Sequence, residues 1–380
     1  MRICILSPAP IHGSGGLRTI FNYAVALRDA GMDVDMVLVD APQQGRDAEA
    51  ELASFYGIEG LPVRHWPSDL GNPDMVVATR WDTARIARDA PARSRAYLVQ
   101  DYESMFHPMG DSFIAGENGY LFGLETITLG RWLNQTLTQN FGNRPYRMDF
   151  GVDLAVYSLQ RSMSERSPGI CAILQPEKPR RCTHLLIEAL GIVAANFPDV
   201  PIRLYGGKKI PLWFKAEQLG IIPPEELARL YNDSTVGVCM SSSNPSRIPF
   251  EMMACGLPVV DLYRSNNLLD LPEQGCLLAH QTPESIAEAI AALLVHRELA
   301  SDLSAGGARL MQGRSAAAEV AGFVRAITAI AAGEPTTVEN PEAWLYRRPA
   351  VIGPNLRGPQ VLRHCARQVE LLGLPAVSVA

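Results

Sequence analysis

The sequence predicts an α/β protein with two doubly wound parallel sheets in tandem. Short apolar runs typical of strands alternate with amphipathic runs typical of helices, and the alternation restarts after residues 150–153. Alternating strands and helices form parallel sheets that are covered on both faces. The 380 residues are enough for two domains, and a hydrophobic content of 47% is enough to fill their cores.

The first half supplies one set of elements. A stripe of apolar residues at helical spacing, from Leu17 to Leu27, predicts a helix over residues 17–30 that ends at Gly31. The predicted strands of this half cover residues 2–6, 34–39, 75–78 and 96–100.

The second half repeats the alternation. Its predicted strands cover residues 170–174, 202–205, 236–240, 259–261 and 276–278. Its predicted helices cover residues 183–196, 224–232, 248–255 and 283–295. Ligands bind beyond the carboxyl ends of the strands in open α/β sheets, so we expect the ligand site in a cleft between the two domains.

A polar stretch at residues 158–168 marks the predicted linker, which gives domains 1–154 and 155–332. The remaining residues, 333–380, are rich in proline and contain one helix-like piece, 360–372. Two interpretations of this tail stay open: it packs back on the first domain, or it begins a further module.

Composition narrows the function classes. The net charge of −6 disfavours a nucleic-acid-binding protein, which normally presents a basic face. No apolar run reaches the length of a membrane span, and the first residues read as a buried strand instead of a signal peptide. Seven scattered cysteines without metal-binding spacing indicate reduced core thiols of a cytoplasmic protein.

A glycine-rich loop, residues 7–16, precedes the first helix. Glycines let a backbone approach an anion closely, and the helix start offers free N–H groups, so Gly15 and Gly16 are candidate phosphate contacts. A nicotinamide-nucleotide fingerprint needs a third glycine where Arg18 stands, although Asp40 lies where such a fold binds ribose. A plain tight turn is the other alternative.

A basic cluster follows the first strand of the second domain. Lys178, Arg180 and Arg181 stand at the end of that strand, where they can neutralise a diphosphate. The alternative is a solvated surface run.

A third block spans residues 241–260 and predicts a strand end, a polar loop, a helix and a strand. Glu251 in the first turns of that helix can accept hydrogen bonds from both ribose hydroxyls, and the N–H groups from Ser246 to Ile248 can meet a phosphate. The alternative is a glutamate that complements the helix dipole.

With these blocks, the chain resembles retaining glycosyltransferases of the GT-B fold, whose two domains are Rossmann-like. The resemblance covers about residues 1–330 and is most specific in residues 250–260, with support from residues 150–153 and 219–231. Residues 99–110 and 244–251 further resemble rhamnosyltransferases that use dTDP-L-rhamnose for bacterial surface polysaccharides, including lipopolysaccharide.

Three departures separate the chain from these patterns. The broad family has a glutamate where Ser243 stands and often a histidine near Gln100, and both departures are similar to the rhamnosyl subgroup. That subgroup has an arginine where this chain has Gln175.

The resemblance implies metal-independent transfer of a sugar from a nucleoside diphosphate to a hydroxyl, with retention and with the donor phosphate taking the acceptor proton. It implies no cofactor beyond the donor. The implied catalytic residues are Asp101, Arg180 and Glu251. The implied donor-binding residues are Gly15, Gly16, Gln100, Lys178, Arg181, Gly206, Ser246, Arg247 and Ile248. His107 is either an acceptor-side residue or an ordinary loop histidine.

The expected partners are the donor and a glycan or lipid-linked glycan acceptor. Five arginines between Arg80 and Arg95, with Trp81 among them, suggest contact with the inner face of an anionic membrane, and a solvated helix face is the alternative. Two rival functions stay open: a non-catalytic sugar-nucleotide-binding module of a larger synthase, and a sugar-nucleotide epimerase on the same fold.

Overall fold

A computed structural model describes residues 1–41, 47–336 and 343–354. The chain divides into two compact units. The first unit contains Met1–Phe150 and the described residues that follow from Ala317, and the second contains Gly151–Ala316 and the described residues that follow from Ala343.

Each unit is built on one parallel sheet. The strands of the first sheet are β1 (Arg2–Ser7), β2 (Asp33–Leu38), β3 (Val63–His65), β4 (Met75–Ala78), β5 (Ser94–Val99), β6 (Glu125–Leu129) and β7 (Tyr146–Met148), in the order β3-β2-β1-β4-β5-β6-β7. The strands of the second sheet are β8 (Ile170–Ile173), β9 (Ile202–Tyr205), β10 (Glu217–Gly220), β11 (Val236–Val238), β12 (Val259–Leu262) and β13 (Cys276–Ala279), in the order β10-β9-β8-β11-β12-β13.

Helices connect the strands and cover the sheets. In the first half they are α1 (Gly15–Asp29), α2 (Ala48–Tyr56), α3 (Trp81–Asp89), α4 (Asp111–Asn118) and α5 (Arg131–Phe141). In the second half they are α6 (Thr183–Asn196), α7 (Pro224–Asp233), α8 (Ile248–Ala254), α9 (Ser265–Asp270), α10 (Pro283–Val295), α11 (Arg297–Met311) and α12 (Ala316–Ala332). No described helix is long and apolar enough to cross a membrane.

The reversal of strand order fixes where each unit can bind a ligand. In the first sheet the order reverses between β1 and β4, and in the second between β8 and β11. At such a point neighbouring connections leave the sheet in opposite directions and open a crevice at the carboxyl ends of the strands. The loops after these four strands are therefore the regions to examine.

The predicted fold class is confirmed, with differences in detail. Nine strands and five helices were predicted, each within a few residues of its observed bounds. The short strands β3, β6, β7 and β10 were not predicted. Each has at most five residues, and β3 and β10 contain charged or polar residues that interrupt the apolar pattern.

The structure also revises the domain limits. The prediction assigned residues 155–332 to the second domain, but α12 lies with the first unit. There the Tyr23 hydroxyl donates to Glu319 Oε1 over 2.5 Å, and the Tyr23 and Phe323 rings stack with centroids 4.4 Å apart. The apolar periodicity of a helix does not indicate which sheet the helix covers. The sequence argument therefore assigned α12 to the domain of its neighbours in the chain.

The described part of the tail divides between the two units. Residues 333–336 lie with the first unit, where the Thr336 hydroxyl donates to Arg144 O over 3.1 Å. Residues 343–354 lie with the second unit, so packing on the first domain, one of the two open interpretations, describes only the start of the tail. Tyr346 is fully buried, and its hydroxyl accepts a hydrogen bond from Leu278 N over 3.0 Å. Val351 forms a parallel bridge with Ala279 at the edge of the second sheet. The predicted helix at residues 360–372 lies outside the described residues.

Candidate functional site

In the first unit, the glycine loop and the end of β5 lie side by side. Gly15 and Gly16 are the first residues of α1, whose start is capped by the Ser14 hydroxyl accepting from Leu17 N. Gln100 Nε2 donates to Gly16 O over 3.4 Å. Among the described residues, no atom lies within 4 Å of a β-carbon built on Gly15, so the start of α1 is open on that side.

Asp101 follows Gln100, and its Oδ1 accepts from Tyr102 N over 2.8 Å. Since β5 ends at Val99, this half-buried carboxylate lies two residues beyond the end of the strand. Gly15, Gly16, Gln100 and Asp101 are thus all found at the carboxyl edge of the first sheet, close to its reversal point.

Asp40 is already engaged, which weighs against the nicotinamide interpretation. Its Oδ2 accepts from Ala9 N, and its Oδ1 accepts from Arg80 Nη2, each over 2.8 Å. Arg80 also binds Asp82 through a bidentate ion pair. Two of the acceptor positions of the Asp40 carboxylate are therefore occupied.

A buried carboxyl that the sequence argument did not single out as a site residue lies behind this edge. Glu103 is 7% exposed, and its Oε2 accepts from Trp81 N over 2.6 Å and from the Tyr97 hydroxyl over 3.1 Å. Burial raises the pKa of Glu103 to about 8. The group is therefore largely neutral at pH 7, and it ties the start of α3 to the loop after β5.

In the second unit, the three predicted cations lie together in the loop after β8. Arg180 and Arg181 form a single 3₁₀ turn, and Arg181 N donates to Lys178 O over 2.8 Å. Burial, and next to it the charges of Arg180 and Arg181, lower the pKa of the Lys178 ammonium. Such a cluster of like charges is best stabilised by an anion.

Two features hold this turn in place. Ser242 Oγ donates to Arg180 O over 3.0 Å and so joins the loop after β11 to the loop after β8. Cys182, which follows the turn, has a φ of 46°. A left-handed conformation at a residue other than glycine costs roughly 1–3 kcal/mol and tends to occur at functional sites.

Behind the cations lies a buried polar network that sequence reasoning missed. Asp261 is fully buried at β12, and its Oδ1 accepts from Ser241 N and Leu262 N, each over 2.7 Å. The amides of Asn266 and Asn267 donate to Ser241 O over 2.9 and 3.3 Å. The peptide groups of Ser241 are thus held on both sides, which fixes the start of the polar loop.

Burial raises the pKa of Asp261 to about 6, while Ser241, Leu262 and the Arg181 charge act in the opposite direction. At pH 7 the carboxylate is therefore mostly ionised, and the charge of Arg181 acts on it. A charged residue inside the apolar run of residues 259–262 was the available sequence signal.

The polar loop leads to α8 and to the remaining predicted residues. Glu251 lies in the first turn of α8, half-buried, and its charge acts on the buried Tyr205 and Tyr231, whose hydroxyls lie 2.7 Å apart. Ser246 Oγ is buried, and no hydrogen-bond partner lies near it among the described residues. Ile248, half-buried, begins the helix.

Two residues of this region have contacts that the sequence did not indicate. Arg247 was predicted as a donor contact, and its Nη1 donates to Gly151 O over 2.6 Å, at the start of the second unit. Ser243, where the broad family has a glutamate, is 2% exposed, and its carbonyl accepts from Asn266 Nδ2.

Gly206 lies at the end of β9 with a φ of 97°. Its carbonyl accepts from Gln175 Nε2 over 3.3 Å, so the glutamine that departs from the rhamnosyl pattern connects the turns after β8 and β9. A β-carbon on the next residue, Gly207, would overlap Leu174 O. These contacts place Gly206 beside the loop that carries the cations.

The arginine cluster of the first unit is largely engaged within that unit. Arg80 binds two carboxylates, Arg88 pairs with Asp89, and Arg95 donates twice to Ala90 O. His107 packs edge-on against Trp81 with ring centroids 5.7 Å apart. Among the residues that the structure describes, no group of three or more His, Cys, Asp or Glu is placed to hold a metal ion.

Comparison with known proteins adds a family match and a curated relative. Residues 169–291 match the family model described as WsaF, C-terminal domain. Over 328 residues the chain is 28% identical to the O-antigen biosynthesis protein RfbC of Myxococcus xanthus. That alignment covers 82% of this chain and 26% of RfbC, so the chain spans about a quarter of this relative.

Solved structures show the same fold. Sucrose-phosphate synthase from Thermosynechococcus elongatus matches with a TM-score of 0.68 at 15% identity, over 88% of this chain and 100% of that chain. HepE from Anabaena in complex with UDP matches with a TM-score of 0.67 at 15% identity, over the same shares. The chain therefore has the GT-B fold of two tandem Rossmann-like domains.

Proposed function

We propose that the chain is a glycosyltransferase that moves a sugar from a nucleoside diphosphate to a hydroxyl of a surface polysaccharide or its precursor. The observation that carries this proposal is the cluster of Lys178, Arg180 and Arg181 beside the reversal point of the second sheet. Such a cluster suits a leaving diphosphate, on which negative charge develops in the transition state.

The comparisons support the same reaction class. The family match spans the segment that contains the three cations and Glu251. One fold neighbour was crystallised with UDP, and the relative RfbC is named for O-antigen biosynthesis. A nucleotide-sugar donor and a glycan acceptor are the partners that these names favour.

In the proposed reaction, the bond between the anomeric carbon and the donor phosphate oxygen breaks, and a bond to the acceptor oxygen forms on the same face. The acceptor proton passes to the departing phosphate. Arg180, Lys178 and Arg181 stabilise the diphosphate, helped by the N–H groups near Ser246. Glu251 holds the ribose.

The sugar side of the donor is assigned to the first unit. The resemblance assigns Gln100 and Asp101 to the sugar of the donor, and both residues lie at the carboxyl edge of the first sheet. The proposed donor is dTDP-L-rhamnose, for which the resemblance of residues 99–110 and 244–251 is the support.

A panel of dTDP, UDP, GDP and NAD in thermal-shift assays tests the donor, because a ligand that binds only the folded state raises the melting temperature. At a hundred times its dissociation constant, the bound nucleotide adds about 2.7 kcal/mol to the unfolding free energy. We expect the largest shift with dTDP. A preference for UDP or GDP would change the donor but keep the enzyme class, whereas a response to NAD alone would overturn both.

Product analysis separates an enzyme from a binding module. With the preferred donor and a rhamnan or O-antigen acceptor, we expect a glycosidic product of retained anomeric configuration by NMR. Donor binding with neither transfer nor hydrolysis would favour the non-catalytic module. Conversion of the donor without an acceptor would favour the epimerase.

A further inference from the structure

The segment between β9 and β10, residues 208–216, presents one apolar and one exposed set of side chains. Ile210, Leu212, Phe214 and Ala216 pack against the core of the second unit. The alternate positions from Pro211 to Lys215 are exposed. The Gln218 amide donates to Ile210 O and accepts from Ile210 N, each over 2.9 Å, and so fixes the segment to β10.

Trp213 is the outstanding exposed residue of this segment. Trp213 is 69% exposed. The indole rests on α6, where a β-carbon on Gly191 would lie 2.7 Å from Trp213 Nε1. A glycine in the middle of a helix weakens it, and here it gives room for an aromatic ring that is nevertheless left in solvent.

Three lysines flank Trp213 in the sequence. Lys208, Lys209 and Lys215 are exposed. The carboxylate that follows, Glu217, lies 3.5 Å from Arg203, and Glu188 stands almost one turn before Gly191 on α6. The segment is therefore locally basic on a chain whose net charge is −6.

We propose that this basic-aromatic surface, formed by Lys208, Lys209, Trp213 and Lys215, docks on an anionic lipid bilayer. Lysines near an anionic leaflet are attracted to its surface potential, and an indole occupies the boundary between headgroups and acyl chains. An acidic protein would use the lysines but has no particular need for an exposed indole. The proposal goes beyond sugar transfer, because vesicle binding needs neither donor nor acceptor.

Co-sedimentation with vesicles of phosphatidylcholine, with and without phosphatidylglycerol, tests the proposal. We expect binding only to the vesicles that contain phosphatidylglycerol, and weaker binding as salt screens the charges. Replacing all three lysines (Lys208→Gln, Lys209→Gln and Lys215→Gln) should weaken binding by roughly a hundredfold, given the attraction of each lysine to an anionic leaflet. Trp213→Ala should weaken it separately.

A matched control lies in the first unit. Arg85 and Arg93 are exposed members of the other basic cluster, and the double variant Arg85→Gln with Arg93→Gln should bind vesicles like the wild type. Melting temperatures close to wild type would show that all variants are folded. The proposal is overturned if the wild type does not bind anionic vesicles or if the arginine variant loses vesicle binding. It is also overturned if the lysine and Trp213 variants bind vesicles as tightly as the wild type.

Discussion

The two sheets share the order of their first six strands, yet the loops after their first strands differ in charge. The loop after β1 contains no Asp, Glu, Lys or Arg between Ser7 and Leu17, and nearby Arg80 is neutralised by Asp40 and Asp82. The loop after β8 gathers three cations. Strand order fixes where a ligand can bind, and the loop residues decide which charge it must carry.

The buried carboxyl groups near these two loops differ in their protonation state. Glu103 in the first unit has a pKa of about 8 and is mainly neutral at pH 7, whereas Asp261 in the second has a pKa of about 6 and is mainly ionised. Burial is the main cause in both, but Asp261 lies near the charge of Arg181. The second unit thus has a buried carboxylate, Asp261, near the charge of Arg181.

The largest expected effect comes from Arg180→Ala. The loss of one electrostatic contact to the departing diphosphate should cost about 2.7–4 kcal/mol in transition-state stabilisation, or 10²–10³ in kcat. Steady-state turnover with the preferred donor measures it. Arg229→Ala, at an exposed arginine of α7, is the matched control and should leave the rate unchanged. An equal loss in Arg80→Ala would break the contrast between the two units.

Glu103→Gln should raise the stability of the first unit at pH 7. The folded pKa of about 8 exceeds the ordinary value of 4.5, so the folded state binds more protons and stability falls as pH rises from about 4.5 to 8. Glutamine has no such titration and can accept the same two hydrogen bonds, so the expected gain at pH 7 is on the order of 3 kcal/mol. Denaturant unfolding at pH 5 and pH 8 measures it, and a gain that does not grow with pH would contradict the buried neutral carboxyl.

Asp261→Asn should show a similar but smaller change over a lower pH window. The pKa is raised from 3.8 to about 6, so stability falls between about pH 4 and pH 6 and then levels off. Asparagine removes at most about 3 kcal/mol of this cost and loses the attraction to Arg181. Unfolding curves at pH 4.5, 6 and 8 check the plateau. If the gain kept growing from pH 6 to pH 8, the carboxylate would be neutral at pH 7, and the contrast with Glu103 would disappear.

Sequence reasoning recovered the elements whose signal is local and missed those that depend on strand neighbours. The helices over residues 183–196 and 283–295 were predicted with their observed ends, because helical periodicity, a terminal proline or a polar break marks them. The cations were predicted from a loop that follows an apolar strand. Asp261 needs β11 beside β12 to meet Ser241, and Glu103 needs α3 to meet Trp81 N, so neither role is visible in a local pattern.

The return of α12 to the first unit has a consequence for modularity. The chain leaves the first unit after Phe150 and re-enters it at Ala317, so most of the second unit is inserted between two parts of the first. A fragment that stops at residue 150 would lack Glu319 and Phe323, the partners of the buried Tyr23. Recombination between relatives therefore has to exchange residues 1–150 and 317–332 together. A single crossover near residue 150 would take Tyr23 from one relative and its ring-stacking and hydrogen-bonding partners from the other.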